Sequence, residues 1–327
     1  MNKSIKIFLK WFVGPILAVW LFYSLYVQVK KQPDFATELA LIKTLPFGEG
    51  AFKFWLVVFM VFVNWGLEAS KWRLLINTIQ PMSFFRAFKS VLCGVTMSLN
   101  TPNRIGEYAG RVLFVNEGNR LKAVTLSIAG GMAQLIITAL MGCFGLVFLF
   151  FKGTEVAGQM GITVFWLKVF LYGSIFVAIV LLLFFFRLSW ITKLLEKLPY
   201  AEKFSRHINV LETFDAKILL RLLILSLCRY IVFVLQYIFM LQLMQVEQNC
   251  WQSFWLVTVM FWVLAIIPSF AIAELGIRGT IAKTLFSYST NLVGILAVTF
   301  SVWFLNLFVP ALIGSVLILG IKIKKDK

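Results

Sequence analysis

Six apolar runs, at about 8–27, 53–70, 122–151, 161–186, 218–243 and 291–320, divide this chain of 327 residues. Each is long enough for a tilted membrane-crossing helix, because a hydrocarbon core about 30 Å thick takes roughly 20 residues at 1.5 Å each. In lipid every backbone N–H and C=O must be satisfied within the protein, which leaves helices and closed barrels, and runs of this length select helices. A mean hydropathy of +0.90, with 61% hydrophobic residues, points the same way. The expected fold class is an all-α polytopic membrane protein, a single integral membrane domain over 1–327.

Two shorter runs, about 88–101 and 252–267, end in polar, helix-breaking motifs. The first reads Ser98-Leu-Asn-Thr-Pro102-Asn-Arg104-Ile-Gly106-Glu107-Tyr-Ala-Gly110-Arg111, and a damped echo reads Pro268-Ser-Phe-Ala-Ile-Ala-Glu274-Leu-Gly276-Ile-Arg278. Aligning Glu107 with Glu274 places Ile105 on Ile272 and Arg111 on Arg278, and brings the two prolines within one residue of each other. Short apolar segments broken by Pro and Gly at corresponding places in two halves are the pattern of re-entrant or broken transporter helices. The expectation is therefore about six full spans plus two re-entrant hairpins related as an inverted repeat.

Charge decides between hairpins and full crossings. If 88–101 turns back, Lys71, Arg73, Arg86, Lys89, Arg104, Arg111, Arg120 and Lys122 share one side. They are joined there by Lys3, Lys6 and the basic linker 187–217, the side that the positive-inside rule makes cytoplasmic. The loop 244–251 carries Glu247 and no Lys or Arg, as suits the opposite side. A second hairpin over 252–288, entered from outside, then returns the last helix to a cytoplasmic end rich in lysine. In the linker, Trp190, Ile191, Leu194, Leu195 and Leu198 form one helical face beside Lys193 and Lys197. That pattern suits an interfacial helix, or a connector packed on protein. The first run ends in bulky Leu25-Tyr26-Val27 without a small-residue cleavage site, so it is expected to be a retained span.

Charges at membrane depth persist where they face a partner or a wet cavity. Glu107 and Arg111, like Glu274 and Arg278, have the acid-first i,i+4 spacing that favours a local ion pair. One reading is that each pair neutralises itself and makes a polar helix cheap to insert. The other is that Arg104, Arg111 and Arg278 offer planar guanidinium forks to a phosphate or carboxylate, held in place by the glutamates. Gly106 and Gly110 keep one side of the first motif slim. Arg229, in the middle of 218–243, is too deep to snorkel and should face Glu68, Glu107 or Glu274. The candidate substrate-binding set is Arg104, Gly106, Glu107, Arg111, Arg229, Glu274 and Arg278. In the run 122–151, Ser127, Gly130, Gly131, Gly142 and Gly145 suit close helix packing.

The chain resembles the transmembrane region of lysylphosphatidylglycerol synthases, also called the flippase-like domain. The residues that carry the resemblance are Lys71-Trp72-Arg73, Pro102-Asn-Arg104-Ile-Gly106-Glu107 with Arg111, and Gly276-Ile-Arg278. It covers nearly the whole chain in order and spacing. The family's usual first motif is Pro-Gly-Arg-x-Gly-Glu, so Asn103 departs from it, and Gly279 stands where the second motif usually has an acid. The resemblance implies movement of an anionic phospholipid or lipid conjugate between the leaflets of a bacterial inner membrane. It also implies that the soluble aminoacyl-transfer domain of bifunctional relatives is not encoded in these residues.

The formal net charge of +17 needs no nucleic-acid partner, since Lys and Arg collect at cytoplasmic helix ends beside anionic headgroups. His207 is the single histidine and the four cysteines are scattered, so no metal site, cofactor or histidine-based triad is expected. No phosphate-binding loop is present. The functional expectation is a non-enzymatic, flippase-like protein whose partners are membrane phospholipids. Two alternatives stay open: a membrane enzyme using Glu107 or Glu274 as general base on a lipid-linked substrate, and an accessory subunit of a separate lipid-modifying enzyme.

Overall fold

The structure, a computed structural model, describes residues 43–99, 101, 104–151, 163–187, 214–246, 249–267, 271–286 and 291–325, without the side chains of 271–275 and 321–325. The expected first span, most of the linker 187–217, Pro102 and Pro268 lie outside these residues.

The described residues form helices and no strand. In chain order they are α1 (Ala51–Ile76), α2 (Phe84–Leu99), α3 (Gly106–Val112), α4 (Arg120–Phe151) and α5 (Val164–Phe186). There follow α6 (Ala216–Leu243), α7 (Cys250–Ile266), α8 (Ala271–Leu285), α9 (Leu292–Trp303) and α10 (Val309–Lys325). A π-helical turn, Phe304–Phe308, fuses α9 to α10. Five of these helical stretches are long and apolar enough to cross a membrane: α1, α4, α5, α6 and the fused α9–α10. They match the five apolar runs that fall within the described residues, and the chain is an all-α polytopic membrane protein. Apolar on every side, α5 leaves Phe165, Trp166, Tyr172 and Phe176 exposed, as a span at the lipid-facing perimeter does.

The first motif forms a helical hairpin. A Cβ at Gly106 or Gly110 would run into the backbone carbonyls of Met97 and Cys93, so α3 lies directly on α2 only because these positions carry none. At the tip, the Gly106 N–H donates to Thr101 Oγ1 at 2.7 Å, tying the start of α3 to the end of α2. Toward the open end Ser90 Oγ donates to Arg111 O at 2.9 Å, and Arg86 Nη2 donates to Phe114 O at 2.8 Å. Beyond it the Asn116 N–H donates to Gln80 Oε1 at 3.1 Å, and Asn119 Nδ2 to Ile79 O at 3.3 Å. The chain thus leaves and rejoins the bundle at the C-terminal end of α1. That makes α2–α3 re-entrant. The 16 residues of α2 extend about 24 Å at 1.5 Å each, past the midplane of a core about 30 Å thick.

The second motif repeats this arrangement from the opposite end. Lys53 Nζ donates to Gln242 Oε1 at 3.1 Å, which sets the end of α6 beside the start of α1. After α7 and α8 the chain returns there, with Asn291 Nδ2 donating to Met244 O at 3.0 Å. Each half therefore reads span, hairpin, span. The packing exchanges between halves as a two-fold relation requires: α1 lies on α6, α2 on α10, and α7 on α4. Gly142 and Gly145 of α4 admit Trp262 and Thr258 of α7 at close range, as the small-residue pattern suggested, whereas Gly131 faces open space.

Gly110→Val should therefore force α3 off α2, with an overpacking cost of roughly 1–3 kcal/mol and a lower melting temperature in detergent. Gly131→Ala should melt at or slightly above the parent, because alanine gains up to about 1 kcal/mol of helix propensity over glycine. Equal melting of Gly110→Val and the parent would show that the hairpin is not close-packed.

Candidate functional site

Two turns before α1 ends, Glu68 points into the protein and is buried with Lys71. A buried carboxylate in an apolar bundle needs cationic or hydrogen-bonding partners. Glu68 has three, from three different parts of the chain. Lys71 Nζ lies 2.8 Å from Oε2, Arg111 Nη2 lies 2.7 Å from Oε1, and Arg229 Nη1 lies 3.0 Å from Oε2. Arg111 is also paired with Glu107 across one turn of α3, the local ion pair that the i,i+4 spacing favours.

Aromatic rings line the cations. The Arg111 guanidinium stands 5.4 Å from the Trp72 ring centre, and Arg229 stands 5.1 Å from Trp65 and 5.4 Å from Phe233. Ring faces carry partial negative charge and supply a favourable surface where water is excluded. Trp72 is fully buried and donates Nε1–H to Ser90 Oγ at 3.0 Å. It is a wall of the site, whereas Arg73, next along α1, is exposed and donates Nε–H to Met82 O at 3.2 Å.

From Arg229 an amide chain leads away from the basic end. Arg229 Nε donates to Asn64 Oδ1 at 2.8 Å, and Asn64 Nδ2 donates to Asn306 Oδ1 at 2.8 Å. Asn306 Nδ2 donates to Gln236 Oε1 at 3.1 Å, and Gln236 Nε2 donates to Val57 O at 3.0 Å. Asn306 sits within the π-helical turn, where the Val309 N–H reaches back five residues to Phe304 O. Pro310 follows and has no N–H for the Asn306 carbonyl, so the helix widens there instead of breaking.

Of the candidate residues, Glu107, Arg111 and Arg229 come together through Glu68, while Gly106 shapes the hairpin that carries two of them. Arg104 stands apart at the hairpin tip, exposed, with φ at 57°, one of two non-glycine residues in the left-handed region among those described. Such a conformation costs roughly 1–3 kcal/mol. Arg278 lies on α8, its Nη1 3.4 Å from Tyr237 Oη, and is not a partner of Glu68. Glu274 is on α8, with its side chain outside the described set.

From sequence alone Glu68 is one of three acids available to Arg229, and neither Asn306 nor Gln236 stands out. The available signal was Asn306, the single amide in the run 292–320 and free of any charged neighbour there. Chemically the site holds three cations against two carboxylates, one positive charge in excess. Arg229 is the most accessible of the three cations, with 14% of its side chain exposed against 2% for Lys71 and 4% for Arg111.

Arg229→Ala removes partners from both Glu68 and Asn64. Breaking a buried ion pair on one side costs roughly 3–5 kcal/mol, so the solubilised variant should melt well below the parent. Arg229→Lys, which keeps the charge and loses the planar fork, should fall between them. Parent-like melting of Arg229→Ala would remove Arg229 from the support of the fold.

Among curated proteins none matches the chain. A family model described as the lysylphosphatidylglycerol synthase TM region matches residues 9–314, which takes in both hairpins and every partner of Glu68. The chain belongs to that family of membrane proteins, tied to lipid metabolism.

Proposed function

We propose that this protein binds an anionic phospholipid or lipid conjugate and moves it between leaflets, in the cytoplasmic membrane of a bacterium. The observation that carries the reading is the buried cation excess around Glu68, held where the first hairpin meets α1 and α6. Glu68 offers two oxygens to Lys71, Arg111 and Arg229, as a phosphate would. A headgroup phosphate arriving at Arg229 meets cations already gathered round an anion, and one positive charge remains for it to neutralise. Substitution of carboxylate contacts by phosphate contacts releases the hairpin from α1 and lets the two halves rock about the site.

Transport is favoured over catalysis by the described acids; the side chain of Glu274, the other candidate base, lies outside them. Both oxygens of Glu68 face cations, and Glu107 is engaged by Arg111, so neither is placed as a free general base. Arg104, strained and exposed at the tip of a hairpin that reaches past the midplane, is the residue best placed to follow a headgroup between leaflets. The basic end of the bundle is proposed as cytoplasmic, from Arg86, Lys89, Arg120, Lys122 and Lys217.

Leaflet-resolved movement of fluorescent phosphatidylglycerol in vesicles holding the purified protein tests this. Glu68→Gln and Arg104→Lys should each slow movement at least about tenfold, the loss expected when one charge-assisted phosphate or carboxylate contact goes. Parent-like movement in both would rule out headgroup transport by this site. In cells, a cysteine at Gly118 should react only with reagents that reach the cytoplasm, and one at Asn249 with impermeant reagents outside. The reverse pattern would invert the topology.

A further inference from the structure

At the basic end of the bundle α1 and α6 separate, and a cleft of about 420 Å³ opens between them. Its described polar lining is Ser70, Arg73, Asn77 and Arg221, and its apolar wall is Leu74, Ile224 and Leu225. This volume lies in the range of small-molecule sites, about 300–1,000 Å³. Two guanidiniums line it from separate helices, and no carboxylate is among its described lining residues. Two cations lining one cleft favour an anion there. The Arg73 Nε–H is already taken by Met82 O, which fixes the guanidinium and leaves its terminal nitrogens to the cleft.

The setting names the anion. The cleft lies where two membrane-crossing helices reach the interface, and its apolar wall continues onto Leu220 and Leu227, both exposed on α6. We infer that this cleft is a binding site for a phospholipid of net negative charge, its phosphate between Arg73 and Arg221 and its acyl chains along Leu74, Ile224 and Leu225. The described lining holds two cations and no carboxylate, and this sets the specificity. A headgroup bearing an ammonium finds no counter-ion there, while a phosphatidylglycerol headgroup needs none.

The cleft also leads to the buried site. Arg221, Leu225 and Arg229 stand at i, i+4 and i+8 on one stripe of α6, so Arg229 lies about 12 Å further in at 1.5 Å per residue. Arg229 is the least buried of the three cations around Glu68, the one a lipid coming from this side reaches first. The cleft is thus the loading position for the transport proposed above. Only this last step rests on that proposal, because lipid binding at Arg73 and Arg221 stands without it.

Native mass spectrometry of the detergent-purified full chain, titrated with phosphatidylglycerol or phosphatidylethanolamine, tests the inference. The parent should hold one phosphatidylglycerol more tightly than phosphatidylethanolamine. Arg221→Gln and Arg73→Gln should each weaken phosphatidylglycerol about tenfold and abolish the preference, and both residues are exposed, so the variants should fold. Glu68→Gln should keep the preference. If Glu68→Gln still transports while Arg221→Gln loses lipid, transport by the buried cluster fails and the cleft stands as a lipid site. Unchanged phosphatidylglycerol binding in Arg221→Gln and Arg73→Gln overturns the cleft. So does displacement of the lipid by equimolar inorganic phosphate, which would make a soluble anion the ligand.

Discussion

The carboxylate of Glu68 is the point on which the described structure turns. One acid on α1 ties together Lys71 on its own helix, Arg111 on the re-entrant hairpin and Arg229 on α6. Without it three cations would share an apolar interior with Glu107 alone, a cost of several kcal/mol per unpaired ion. The pairing also fixes geometry. The hairpin is held to α1 by Arg111, and α1 is held to α6 by Arg229, so the re-entrant element and the crossing of the two halves share one charge. A perturbation at that carboxylate is felt by both.

The amide chain extends this coupling toward the other end. Asn64, Asn306 and Gln236 pass hydrogen bonds from α1 through the π-helical turn to α6. Each amide donates and accepts, so the direction of the chain is set by Arg229, which can only donate. Pro310 matters here, because the widened turn beside it carries Asn306, buried, to where Asn64 and Gln236 meet it. A regular helix with a good hydrogen-bond ladder at that place would not need the turn, and local strain of this kind is commonly found where function needs it.

The sequence carried the fold further than the site. Span positions follow from apolar length alone, and Pro102 with Gly106 and Gly110 marked a hairpin because each removes something a continuous helix or a looser contact would keep. Charge counting assigned both hairpins to opposite ends, where Asn116 with Gln80 and Asn291 with Met244 close them. The long-range pairing was not legible. The i,i+3 and i,i+4 spacing of Asn64, Glu68 and Lys71 describes one helix and says nothing of which helix lies opposite. Arg229 was recognised as needing a partner, yet three acids satisfied the rule equally, and only the crossing of α1 with α6 selects Glu68. Asn306 was missed because a single amide in an apolar run is compatible with many packings.

The two halves share an architecture and differ in charge, and that difference has a mechanical consequence. In the first, the hairpin arginine, Arg111, meets an aromatic ring and an acid on its own half's first span, Trp72 and Glu68. In the second, Arg278 meets Tyr237 on the corresponding span, and the residue beside that tyrosine is the neutral Gln236. Both contacts have a cationic donor, and the carboxylate acceptor of the first adds an attraction of opposite charges that a phenol oxygen lacks. The first hairpin is therefore bound tightly to its half through a charge that a competing anion can displace. The second hairpin touches its half through the Arg278–Tyr237 contact, a cationic donor on a neutral oxygen.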